Sequence, residues 1–331
     1  MPINDKLQKV ELPMVLKFGQ KPNTQFHNNL DALKIELVDA PTRQQAWNVA
    51  WHYVKATWAD KPDIDPLNGV SDHELSKNLE DVFGGRTLPA PMECLGFTFR
   101  LSGMSFQEVT HILRHRAGTF AAQCTGDRDL RDDDAVIPEP VENSPEFLER
   151  WKKIVEDSKQ LYSDMTDSKV VSMMDARLIL PKCMTSFYYM RLPLKELIGF
   201  IYQRKDVAIQ TASDNIIAVR MAVETAKVIP EFTSVIDFDK PDMHYVKTFR
   251  IKDGDKWISR GTNLYWPASK NDIFEYNSGD TIYQNTREEL NGTHGNGTQK
   301  KFIAAWDEAN AEFDDIKSRH ETWKNDVNIN S

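Results

Sequence analysis

The sequence predicts an α/β (α+β) chain, a mixed sheet packed by long helices, with a C-terminal extension that ends in a helix. Three observations predict it. Two stretches alternate apolar and polar residues with a period of two, and several longer ones repeat apolar residues every three or four positions. A polar, aromatic-rich segment then separates the last helical stripe from the rest. At 331 residues, 40% hydrophobic and 27% charged, the chain is long enough for one large domain or two modest ones.

After an arm over residues 1–30, Leu33, Ile35 and Leu37 alternate with polar neighbours from Ala32 to Asp39, which predicts a half-buried strand ending before Pro41. A helix follows from Thr42, its N-cap, to Trp58, with Trp47, Trp51, Val54 and Trp58 at steps of three and four and the tryptophans read as core. Residues 59–75, rich in Asp and Pro, read as loop. Leu95 to Leu101 alternates again. Ser105-Phe-Gln-Glu108 is a capping box, and Val109, Ile112 and Leu113 form the buried stripe of the helix it opens. Ser144-Pro145-Glu146 starts a helix to about Met165 in the order cap, proline, acid. Helical pattern returns over Val170–Leu180, Leu194–Gln203 and Ala208–Val228, the last with Ala212, Ile216, Val219, Val223 and Ala226 on one face. The core thus runs over residues 31–235. Residues 236–331 form an extension with β character around Lys247–Ile251 and an Asn-Gly-rich loop over 290–298. It closes on Phe302, Trp306, Ala309, Phe313, Ile316, His320 and Trp323, a heptad-like stripe that fits either the chain's own core or a partner subunit.

Composition excludes several functions. A net charge of −9 opposes direct DNA or RNA binding, which needs a basic surface. No apolar run approaches a membrane span, and the N-terminus lacks an export signal. Cys94, Cys124 and Cys183 are too scattered for a disulfide framework or zinc site, which points to a cytoplasmic protein, a host's cytoplasm included were the chain viral. His27, His52, His73, His244 and His294 have no partners at ligand spacing. The five aspartates from Asp127 to Asp134 lie among two arginines and read as a solvated or self-paired loop, so no metal is expected.

Chemistry concentrates at Arg114-His115-Arg116, where a helix gives way to a polar loop. A cationic helix end also compensates the macrodipole, so the triplet alone is compatible with an anion site or with no ligand at all. Arg177, in Asp175-Ala-Arg-Leu-Ile-Leu-Pro181, is an arginine in an apolar run that needs either an internal carboxylate or an anionic ligand. Arg204, in Tyr202-Gln-Arg-Lys-Asp206, sits between two helices.

In order and spacing these pieces resemble the flavin-dependent thymidylate synthases. That family carries Arg-His-Arg, seven residues and Ser-x-Arg, then Ala-Arg-x-x-Leu-Pro and Arg-x-Asp. Here they correspond to Arg114–Arg116, the seven residues Ala117–Gln123, Ala176–Pro181 and Arg204–Asp206, with Phe97-Thr-Phe99 and Ile137-Pro138 adding to a likeness over about residues 30–235. The resemblance implies a homotetramer that binds FAD and a pyrimidine deoxynucleotide monophosphate at subunit interfaces. It would transfer a one-carbon unit from methylenetetrahydrofolate to C5, dUMP becoming dTMP, with electrons from NADPH. It implies nucleotide contacts from Arg114, His111, Gln123, Cys124, Arg128, Arg177 and Arg204, of which Arg177, Arg204 and Cys124 are the catalytic candidates. It implies cofactor contacts from His115, Arg116, Ala117, Lys195 and Gly199.

The chain departs from the family pattern behind the triplet. Cys124 stands at the serine position, Gly126 at the arginine position and Ala122 where a glutamate is common, and Arg128, from a loop one residue longer, is the replacement guanidinium. Cys94 holds the place of a folate-stacking histidine, His111 that of a nucleotide-contacting glutamine and Ala208 that of a flavin-side histidine. Cys124 is either a small filler or a thiolate nucleophile. Two alternatives stay open: a paralogue that hydroxymethylates or hydroxylates dUMP or dCMP for modified DNA precursors, and a non-catalytic nucleotide- or flavin-binding protein.

Overall fold

The computed structural model describes residues 15–61, 66–205, 211–238, 248–253, 256–261 and 299–329. Its organising element is β3 (Gly96–Ser105), whose Phe97, Phe99 and Leu101 are buried on one face as the alternation predicts. β2 (Lys34–Asp39) pairs with one edge of β3 and β6 (Thr185–Pro193) with the other, and β4 (Thr119–Ala122) completes the order β2-β3-β6-β4. All three pairings are antiparallel. Parallel pairing is confined to a separate two-stranded sheet of β1 (Phe26–Asn28) and β5 (Ala135–Ile137). A bulge in β3 falls at Gly103, where φ is +75° and an added Cβ would lie 1.8 Å from the Ala32 carbonyl oxygen, so only glycine fits.

Helices cover the inner face of the sheet. α1 (Arg43–Trp58) begins at a capping box of Thr42 and Gln45. α2 (Asp72–Phe83), α3 (Ala90–Cys94) and the one-turn α5 (Glu139–Glu142) are short, whereas α6 (Pro145–Asp167) is long and lies outside the sheet. α8 (Leu194–Arg204) follows β6 directly and packs on β6 and β3. α9 (Ala212–Val228) is buried nearly all round and lies on β2 and β3. In the extension, β7 (Thr248–Asp253) and β8 (Lys256–Gly261) form an antiparallel pair, as the β character around Lys247–Ile251 suggests.

The last helix, α10 (Lys300–Ile329), buries Phe302, Trp306, Ala309, Phe313, Ile316 and His320 in the same core, against α9 and the 3-10 turn Pro230–Ser234. Of the two readings of the heptad-like stripe, packing on its own chain is the one observed. A polar clamp secures this side. Fully buried Glu231 accepts from Arg43 Nη2 (2.8 Å) and Nε (3.0 Å), Trp47 Nε1 (2.8 Å) and Ser76 Oγ (2.6 Å). His320 stands between Arg43 and Glu80, at 3.1 and 3.0 Å, and Arg43 also lies over the rings of Trp47 and Trp323.

Several expectations are corrected. The helix expected over Val170–Leu180 is a single turn, α7 (Met173–Ala176), capped by Ser172 and followed by the 3-10 turn Arg177–Ile179. Pro181 disfavours helical geometry just before it, and although Ala176 is buried, Leu178 (81% exposed) and Ile179 face outward. Arg177 is therefore half-buried at a turn, not inside an apolar helix. The loop expected over 59–75 gives way to α2 at Asp72, opened by a Ser71–Glu74 capping box of the same form as Ser105–Glu108. Trp47 is core, but Trp58, at the open end of α1, is 59% exposed. Ser144 occupies the N-cap position of α6, yet its hydroxyl donates to the Pro140 carbonyl instead of capping. α9 starts at Ala212 under a Thr211 cap. Ala208, Asp206 and the 290–298 loop lie outside the described residues.

Candidate active site

The Arg114-His115-Arg116 triplet follows α4 (Phe106–Ile112), a helix held to the end of β3 by its capping box. There the chain turns back: His115 N donates to the Ile112 carbonyl and Gly118 N to the His115 carbonyl, which feeds the backbone into β4. The guanidinium groups of Arg114 and Arg116 are exposed and have no hydrogen-bond or ion-pair partner among the described residues.

Beneath them lies a buried polar cluster. Arg204, from the end of α8, donates through Nη2 to the His111 carbonyl (2.8 Å) and through Nε to His115 Nε2 (3.2 Å). Nε2 of His115 is thus an acceptor, and burial, followed by the Arg204 charge, pushes its imidazole down to about 4. The ring packs edge-on against Phe200, centroids 4.7 Å apart. Asp214, in the first turn of α9, is fully buried. Its Oδ2 receives His111 Nδ1 (2.9 Å) and lies 3.8 Å from Arg204 Nη1, while its Oδ1 has no hydrogen-bond partner. The Tyr188 hydroxyl, buried in the same cluster, also has none, and burial raises its pKa. Burial raises Glu108 as well, despite its bonds from Ser105.

A second group forms on the loop after β4. Arg177 Nη1 donates to Thr125 Oγ1 (2.6 Å) and Nε to the Met174 carbonyl (3.1 Å). The guanidinium lies over Gly126, Nη1 being 3.1 Å from where a Cβ would be, so the glycine that breaks the family pattern admits Arg177 to the loop. Cys124 is exposed and its thiol donates to Asp127 Oδ2 (3.0 Å). Arg128 turns inward to an ion pair with Asp133. With the Gln123 amide oxygen toward it, Arg128 also donates to Gln123 through Nη1 (2.7 Å) and Nε (3.1 Å). The Asp-rich loop pairs partly within itself and partly with its surroundings: fully buried Arg131 holds Asp129 and, on α6, Asp167, both at 3.0 Å, Lys17 pairs with Asp132, and Lys159 of α6 donates to the Asp133 carbonyl.

Of the residues singled out in the sequence, the structure brings together His111, Arg114, His115 and Arg204. It seats Arg177 with Cys124 and Thr125, and binds Gln123 and Arg128 to each other. Lys195 is exposed and paired with Glu93 (2.7 Å). Gly199 lies on α8 with open space where a Cβ would project. Sequence reasoning missed Asp214, Tyr188, Thr125 and Gln107. Asp214 carried a signal, because Thr211-Ala-Ser-Asp214 is a cap pattern that places a carboxylate on an otherwise apolar helix.

The arrangement can grip an anion. Exposed guanidinium groups without a partner among the described residues stand over a buried polar cluster, on a scaffold of antiparallel sheet and covering helices. A family model described as thymidylate synthase complementing protein (Thy1) matches residues 36–231, and the chain belongs to that family. The chain is 28% identical over 177 residues to a flavin-dependent thymidylate synthase of Thermococcus onnurineus (strain NA1), covering 52% of this chain and 70% of that one. It is 25% identical over 164 residues to the enzyme of the same name from Pyrococcus furiosus, covering 48% and 66%. Among solved structures, a UMP/dUMP methylase, PolB from Streptomyces cacaoi, bound with 5-Br dUMP, superposes with a TM-score of 0.53 at 17% identity, over 64% of this chain and 95% of that one. At that identity the likeness establishes the fold.

Proposed function

We propose that the protein transfers a one-carbon unit to C5 of a pyrimidine nucleotide monophosphate in an FAD-dependent reaction, the conversion of dUMP to dTMP being the primary reading. The observation that carries it is the pair of guanidinium groups, Arg114 and Arg116, exposed and without partners among the described residues in a chain of net charge −9. Charges with no internal counter-ion at a corner built on buried polar groups are suited to phosphate. The residues present also fit FAD: Arg116 is free for its diphosphate, His115 is pinned against Phe200, and the space over Gly199 leaves α8 open to a flat group. When bound, the flavin supplies the redox chemistry. Arg114 and Arg204 hold the nucleotide from one side and Arg177 from the other, stabilising negative charge on the pyrimidine as C5 reacts. Methylenetetrahydrofolate is the carbon donor and NADPH the reductant in this reading, and the protein acts in the cytoplasm.

Assembly belongs to the same proposal. Phe187 and Tyr189 on the outer face of the sheet, with Met174, Leu178 and Ile179, form apolar surface suited to a homotetramer. The Arg114 and Arg177 groups would then meet across subunits.

A second reading is favoured by His111, Cys124 and Gly126, which alter the nucleotide side of the pocket: hydroxymethylation or hydroxylation of dUMP or dCMP. Mass analysis of products from dUMP and dCMP with FAD, NADPH and methylenetetrahydrofolate separates the two. Addition of one CH₂ to dUMP supports the primary reading, and addition of CH₂O or of one oxygen supports the second. A purified protein that neither carries nor takes up FAD overturns both.

A further inference from the structure

His111 is held in a way that simple positioning does not require. Its Nδ1 donates to Asp214 Oδ2 at 2.9 Å, and its Nε2 lies 2.8 Å from the side-chain nitrogen of Gln107. The Gln107 carbonyl is taken by Lys182 Nζ (3.3 Å), so the amide N–H₂ faces His111 and Nε2 is an acceptor. The imidazole shown is therefore neutral, protonated at Nδ1. It keeps a part-exposed edge beside the triplet, and the carboxylate behind it is fully buried with one oxygen lacking any partner.

We propose that His111 is a proton switch in the nucleotide site, neutral when the site is empty and taking up a proton at Nε2 when a dianionic phosphate binds. This rests on the nucleotide reading given above.

The charges around the ring are balanced to permit it. Arg204 on α8, Arg114 after α4 and Lys182 before β6, whose Nζ reaches Gln107, oppose an added proton. Asp214 on α9 and Glu108 on α4 favour it, while His115 beside the triplet and Tyr188 on β6 are neutral neighbours. A phosphate at Arg114 adds negative charge, offsets the guanidinium groups and tips the balance toward the imidazolium. Gln107 can serve both states. Turned about its amide, it releases Lys182 and presents its carbonyl to a protonated Nε2. The bound state would then hold an imidazolium whose Nδ1–H faces the buried Asp214 carboxylate and whose Nε2–H faces the Gln107 carbonyl, with the phosphate at Arg114 as the compensating charge.

The test is calorimetric titration of the FAD-loaded protein with dUMP, in buffers of different ionisation heat, from about pH 7 to about pH 9. The free phosphate is dianionic and an ordinary imidazole neutral over that range. Buffer-dependent heat, showing proton uptake, and an affinity that falls by up to about tenfold per pH unit are expected for the wild type. His111→Gln, which keeps hydrogen bonding but cannot titrate, should bind dUMP with no proton uptake and a flat profile. Binding by the wild type without proton uptake, or uptake that persists in His111→Gln, overturns the switch and leaves the nucleotide reading intact. Proton uptake of equal size with deoxyuridine, which has no phosphate, overturns the phosphate as its cause. Failure of dUMP to bind at any pH overturns the nucleotide reading and the switch together.

Discussion

The clamp around Glu231 and the corner around Arg114 are both built from arginine, histidine and carboxylate, and they differ in how completely their charges are answered. Glu231 receives four donors from three side chains, and Arg43 is shared between that carboxylate, His320 and two indole faces. At the other corner, Arg114 and Arg116 have no hydrogen-bond or ion-pair partner among the described residues, and Asp214 Oδ1 and the Tyr188 hydroxyl are buried without a hydrogen bond there. A site whose hydrogen bonds close on themselves stabilises the fold. A site that leaves them open keeps capacity for something that binds.

The largest effect should come from breaking the closed site. Glu231→Ala strips counter-ion and acceptor from Arg43, Trp47 and Ser76 at once, and should lower unfolding free energy by about 3–5 kcal/mol, read from urea denaturation. The equivalent change in the open site should spare stability. Arg114→Ala should leave the unfolding free energy within about 0.5 kcal/mol of wild type. It should weaken dUMP binding about 10–100-fold, the loss of one charge-assisted hydrogen bond, measured by titration.

His115 lies between these extremes. Its imidazole is held down to about 4 against an ordinary 6.5, so the unfolded chain binds the proton more readily than the folded one. The stability this neutral histidine contributes is present above 6.5 and lost as pH falls toward 4. Thermal unfolding across that window should show wild type losing more than His115→Gln. The smallest effect should be that of Cys124→Ser: the thiol already acts as a donor to Asp127, as a hydroxyl would, so turnover should change less than a few-fold. Abolished turnover would make Cys124 the nucleophile instead.

The same contrast explains what could be read in advance. Local signals were legible: Thr42 and Ser105 capped their helices, Phe97 and Phe99 alternated into the core, and the α10 stripe from Phe302 to Ile316 was buried as its spacing predicts. Tertiary pairings were not. β6 alternates Ser186, Tyr188, Met190 and Leu192 inward, yet its sequence mixes aromatic, basic and proline residues and was not recognised as a strand. The apolar run around Arg177 suggests an arginine in need of an internal carboxylate or an anionic ligand, but Leu178 and Ile179 face outward and the guanidinium donates to Thr125, 52 residues earlier in the chain. The triplet and Arg204 were found from sequence because motif order survives divergence. The pairing of Asp214 with His111 exists only once α9 is laid beside α4, whereas Gln107 stands one turn before His111 on α4 itself, a local spacing that no motif marks.

The corner around Arg114 stands open because it receives ligands. Wild type and the double variant Arg114→Ala, Arg116→Ala should be purified alike and compared for FAD retention, dUMP affinity and unfolding midpoint. Wild type should carry flavin absorbance and bind dUMP, and the variant should lose both while its midpoint is unchanged. A variant that keeps flavin and nucleotide at wild-type affinity, or one that loses them only because it has unfolded, would contradict it.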